Sequence, residues 1–133
     1  MENIKSVLVL ENLYFDKISF ERKGVKNQKD ISFELNVDIE ERINRNDGKK
    51  YYLVKLTANG NKEDEYDLVV SVVGIFSINQ AVELSEEIKK NLIYRNTVAI
   101  LMPYVRSQVS LITAQPEVEC VVLPPFNINN MIN

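Results

Sequence analysis

The chain has 133 residues, of which 45% are hydrophobic and 26% charged, with a net charge of -3; this is the balance of one globular domain, and its excess of acids gives no electrostatic case for nucleic acid or an anionic membrane. The single cysteine, Cys120, excludes an intrachain disulfide framework and suits a reducing compartment. No apolar run approaches the roughly 18 residues of a membrane span, and "MENIKSVLVLENLYF" lacks the basic start and cleavage site of a signal peptide, so a cytoplasmic chain is expected.

The first half of the chain carries β patterns. "YFDKISFER" sets Ile18 and Phe20 against Lys17, Ser19 and Glu21. "ISFELNVDIE" alternates without a fault: Ile31, Phe33, Leu35, Val37 and Ile39 on one side, Ser32, Glu34, Asn36, Asp38 and Glu40 on the other. Such a period predicts a strand with one wet face. "YYLVKLTA" and "YDLVVSVVGIF" are rich in β-branched and aromatic residues. The spacing predicts four antiparallel strands, about Leu8–Arg22, Asp30–Arg42, Lys50–Ala58 and Glu65–Phe76. Asp47-Gly48 and Asn59-Gly60 both tolerate positive φ and are expected to turn the last two hairpins.

After Phe76 the period changes. Ser77 with Gln80 matches a capping box and predicts a helix start, with Ala81, Leu84, Ile88 and Leu92 on one stripe. Asn96 is expected to cap a second helix, "NTVAILMPYVRSQVSLITAQ", which Pro116 ends. From Val98 to Tyr104 that helix is apolar almost all round, and Pro103 near its middle predicts a kink. One sheet covers one side only, so the remaining cover is expected from the same helix of a partner chain. One domain, 1–133, is expected: sheet about 8–76, helical part about 79–115, Pro-interrupted tail 116–133.

The chain offers little for catalysis. There is no histidine, and with one cysteine a closed zinc site is not expected. None of the four glycines sits in a phosphate loop. Glu34, Asp38 and Glu40 read as a solvated strand face, not a cation site, and Cys120 in "VECVVL" reads as a small buried hydrophobe. No enzyme activity, metal or cofactor is expected.

Three segments in order carry a resemblance. "VVGIFSI", Val72–Ile78, then "AILMPYVRSQVSLIT", Ala99–Thr113, then "VVLPPFNIN", Val121–Asn129, together with "YFDKISFE" in the first strand, resemble the SecB family of protein-export chaperones. The resemblance implies an α+β fold, with a four-stranded antiparallel Greek-key sheet followed by a short helix and a longer Pro-kinked helix. It implies a non-enzymatic holdase that keeps unfolded or precursor polypeptides in apolar grooves and passes them to the SecA motor. It implies a homotetramer built as a dimer of dimers, with Val98, Ile100, Leu101 and Val105 covered by neighbouring protomers. Client contacts are expected at Phe76, Ile78, Tyr104, Leu123, Phe126, Ile128 and Met131. The motor contacts an acidic patch on the sheet's wet face; Glu21 keeps one such position, while Lys17 and Val69 stand where acids are usual, and the sequence stops at Asn133 where a further helix should start. Client binding with weak SecA coupling is therefore expected. A solitary chaperone serving one antitoxin, or a non-chaperone domain for a small ligand or one fixed partner, are the alternatives.

Overall fold

Alternating apolar and polar residues make strands wherever one face can be buried, and here the strands form one sheet. The computed structural model describes residues 7–79 and 84–124. Strands β1 (Leu8–Arg22), β2 (Ser32–Ile43), β3 (Lys50–Lys62) and β4 (Tyr66–Ile78) pair antiparallel in the order β1-β4-β3-β2. The last three strands are joined by hairpins. The connection from β1 to β2 crosses the full width of the sheet, which makes a Greek key.

Gly48, with φ 69°, turns the β2–β3 hairpin as expected. The β3–β4 turn does not use Asn59-Gly60. Both residues lie inside β3, and the turn falls at Glu63–Glu65 with Asp64 at φ 63°. Gly60 serves a close approach instead: a Cβ there would stand 2.7 Å from the ring of Phe33.

β1 does not alternate strictly in sequence. The pairing with β4 slips between Leu10 and Asn12 and again between Phe15 and Lys17, leaving Glu11 and Asp16 as bulge residues. Each bulge adds one residue and restores the phase. Leu10, Leu13, Phe15, Ile18 and Phe20 therefore all point to one side of the sheet, although their spacing is uneven.

That side carries the core. Val54, Leu56 and Ala58 of β3 and Leu68, Val70, Val72 and Phe76 of β4 pack against α2 (Thr97–Thr113) through Val98, Leu101, Val105 and Val109. A Cβ on Gly74 would lie 2.8 Å from Leu101 Cδ2 and 2.5 Å from Phe76, so the bare backbone there lets the helix sit against β4.

The helical start differs from the expectation. Ser77 is still in β4, and its hydroxyl donates to Glu11 at 2.6 Å. The helix α1 (Glu86–Asn91) is capped by Ser85, whose Oγ accepts from the Ile88 amide at 3.2 Å. The proposed cap partner Gln80, and Ala81, lie outside the described residues. Asn96 caps nothing, because α1 runs through a π-helical turn, Leu92–Asn96, straight into α2. The stripe also breaks: Leu84 and Leu92 turn toward the core, but Ile88 is exposed.

Beyond α2 the chain returns along it. The Ser110 hydroxyl donates to the Val121 carbonyl, and the Val121 amide donates to the Thr113 hydroxyl, both at 2.9 Å. Cys120 on this segment is exposed rather than buried, because Val118 and Leu123 on either side take the inward positions. No helix among the described residues is long and apolar enough to cross a membrane.

Candidate functional site: the troughs beside the long helix

Strands lie about 4.8 Å apart, whereas a helix with its side chains is about 10 Å wide. One helix therefore covers about two strands of four. α2 takes the two central ones, β3 and β4. The inward rows of both edge strands are left partly open: Leu13, Phe15 and Phe20 on β1, and Phe33, Leu35, Val37 and Ile39 on β2, with Ile31 just before it, are half-buried. Ile18 on β1 is 46% exposed. The result is an apolar trough on each side of α2. An extended polypeptide can lay apolar side chains along such a floor, each contact contributing about 25 cal/mol per Å² of apolar area covered.

The outward side of α2 has little charge. Ile100 is half-buried, and Pro103, Tyr104 and Leu111 are exposed, with Leu111 at 68%. Arg106 is the only charged residue in the helix. The opposite side, in contrast, is already covered. Val98, Leu101 and Val105, expected to be covered by neighbouring protomers, are fully buried against their own sheet. The helix has an inner apolar side and an outer one, and the sequence of Val98–Tyr104 does not separate the two.

The expected client residues divide in the same way. Tyr104 is exposed and Ile78 is half-buried at the end of β4. Phe76 and Leu123 are core residues, with 0% and 1% exposure, which corrects their assignment to a binding surface. Phe76 fills the space left by Gly74, and Leu123 closes the core beside α2. Phe126, Ile128 and Met131 lie outside the described residues. The sequence does not single out the trough walls on β1 and β2: the alternation of β2 is legible and that of β1 is broken by its bulges, but alternation does not tell a covered strand face from a half-covered one.

The other face of the sheet is polar at one end. Glu21 stands opposite Asp67, Ser19 opposite Val69 and Lys17 opposite Ser71. Asp67 is bound by Lys23 and by the Asn61 amide, which hold its carboxyl below the usual carboxylate range. Asp16, placed by the second bulge, pairs with Lys55 at 2.9 Å. Burial pushes the Asp16 carboxyl up, but Lys55 and Ser71 outweigh it and the net shift is downward. Asp67, the acid opposite Glu21, and Asp16 further along β1 are thus each partly neutralised by one of the chain's own lysines.

Comparison with known proteins follows the same lines. The family described as preprotein translocase subunit SecB matches residues 1–133. An uncharacterised protein of Methanocaldococcus jannaschii is 32% identical over 131 residues, covering 96% of this chain and 84% of that protein. The SecB-like chaperone Rv1957 of Mycobacterium tuberculosis, solved with a ChAD peptide from the antitoxin HigA1, superposes with a TM-score of 0.72 at 10% identity, covering 93% of this chain and 91% of that one. With the family matched from end to end and the four-stranded sheet and long helix shared with a SecB-like chaperone, this chain belongs to the SecB family.

Proposed function

We propose that the chain is a cytoplasmic holdase that binds unfolded or precursor polypeptides along the troughs beside α2. The observation that carries this reading is the half-covered sheet: one helix over four strands leaves two apolar rows open to a linear ligand. A long unfolded chain makes many weak contacts along such rows, and tethering sums them without a tight pocket. The peptide bound by the mycobacterial relative supports polypeptide as the ligand class and favours, as a second reading, a chaperone restricted to one antitoxin. The assembly proposed is a homotetramer of two dimers, with the outward side of α2, Ile100, Tyr104 and Leu111, buried between protomers.

The test is suppression of aggregation with a panel of unfolded proteins. Ile18→Ser and Val37→Ser should weaken holding at least threefold, while thermal stability changes by about 1 kcal/mol or less at the exposed Ile18. Equal holding by both variants would remove the troughs as the site. Holding of a single antitoxin and of nothing else in the panel would favour the second reading.

A further inference from the structure

The crossover from β1 to β2, residues 23–31, joins the two edge strands at the end of the sheet that carries the inward rows Phe20–Leu68–Gly60–Phe33 and Arg22–Tyr66–Lys62. Its polar ties converge on one turn, 62–65. The amides of Lys23 and Gly24 donate to the Glu65 carbonyl at 2.7 and 3.1 Å. The Asn27 amide donates to Glu65 Oε1 at 2.7 Å, and the Asn27 side chain donates to the Glu63 carbonyl at 2.9 Å. Lys62 reaches Glu65 Oε1 at 3.0 Å and the Asn27 carbonyl at 3.2 Å, and Lys29 pairs with Asp64 at 2.5 Å. Among the described residues Glu65 is thus the one acceptor shared by three crossover amides.

Glu65 is fully buried, yet its Oε2 has no hydrogen-bond partner among the described residues. An unpaired buried oxygen raises the energy of the state that contains it. The nearby Arg22 guanidinium donates instead to the Gly24 carbonyl of the crossover at 2.9 Å and to the Glu117 carbonyl at 2.8 Å. The crossover itself buries little: Val25 is 83% exposed, and Lys26, Gln28 and Lys29 are exposed as well. An open surface depression lies between Gly24–Lys26 and Gln115–Glu117, bridged by Arg22. Few buried apolar contacts, and polar ties of which most converge on the one turn 62–65, are the marks of a segment that opens as a unit without the rest of the fold.

We propose that residues 23–31 are a strap latched by Glu65, which opens as one unit while the sheet stays folded and so admits polypeptide to the Phe20–Phe33 end of the troughs. The admission step rests on the holdase reading; the opening does not.

Amide hydrogen exchange of the wild-type chain tests the opening. The Lys23, Gly24 and Asn27 amides should share one opening equilibrium, at least a hundredfold more frequent than that of Val54 and Leu56, and with a much smaller denaturant dependence. Exchange of these amides only together with Val54 and Leu56 would overturn the strap. The admission step is tested by locking the strap shut with a disulfide between Asn27→Cys and Glu63→Cys in a Cys120→Ser background. The oxidised form should hold reduced, carboxymethylated α-lactalbumin at least fivefold more weakly than the same protein after reduction. Equal holding by both forms would overturn admission and leave the holdase reading intact. No holding by either form, or by the wild type, would overturn the holdase reading and admission together, while the exchange result would still decide the strap.

Discussion

Glu65 is buried, yet its neighbours favour the charged form of its carboxyl. Burial alone pushes its carboxyl up, but the Asn27 amide and the Lys62 ammonium bind the charged form more strongly, and the net shift is downward. Arg22 on β1 adds to this, and Tyr66 on β4 packs alongside with its own phenol pushed up by burial and by Glu65. A depressed native value means that the stabilisation is fully present above the unfolded-state value, about 4.3, and is lost as the pH falls through the native one. Glu65→Ala should cost about 3 kcal/mol at neutral pH, because it strands Lys62 as well as removing an acceptor. The gap between wild type and Glu65→Gln should be flat from pH 6 to 8 and close below about pH 4, as read by urea unfolding at each pH. A gap that widened toward acid would mean that Glu65 folds protonated. Leu101 and Leu111, ten residues apart on one helix, separate in the same spirit. Leu101→Lys should unfold the chain, since it buries an unpaired charge. Leu111→Lys should leave the fold intact and lower the molecular mass in solution. Loss of folding in both would show that the outer side of α2 is also core.

At the scale of elements, α2 is the piece on which the binding surface depends. Gly74 lets it approach β4, the π-helical turn at Leu92–Asn96 sets its phase after α1, and Thr97 donates back to the Ile93 carbonyl across that turn. Pro103 sits on the exposed side and cannot donate to the Ala99 carbonyl one turn earlier. Pro103→Ala should raise stability by about 1 to 3 kcal/mol, measured as a higher midpoint in thermal unfolding. A lower midpoint would mean that the proline is needed to seat Leu101 and Val105. The four strands are less dependent on single residues. β3 is paired on both sides along most of its length, and β1 tolerates two inserted residues without losing its inward row.

For the whole molecule, the two sides of the sheet differ in chemistry. The inner side has open apolar rows suited to unfolded chains. The outer side keeps Glu21, but Asp67 beside it is paired with Lys23, while Lys17 and Val69 stand on the same end. Charges of this kind govern encounter rate and partner choice. A solution titration with the zinc-bearing C-terminal segment of SecA should give binding at least tenfold weaker than that of a typical family member, about 1.4 kcal/mol. Tight, salt-sensitive binding that disappears in Glu21→Lys would show that this face still recruits the motor.

The four strands, the Gly48 hairpin and the long helix with Pro103 were legible from the sequence alone, because period and turn chemistry are local properties that each segment carries with it. The SecB likeness was legible too, since its motifs are short and lie in chain order. What only the tertiary structure decided were the matters of cover. The side of α2 that faces its own sheet, the burial of Phe76 and Leu123, and the half-open rows on β1 and β2 depend on how many strands one helix can span. The role of Glu65 was hidden for a related reason. In "NKEDEYD" it reads as one more turn acid, and it becomes a buried anchor only because the Greek-key crossover brings Asn27 against it from 38 residues away.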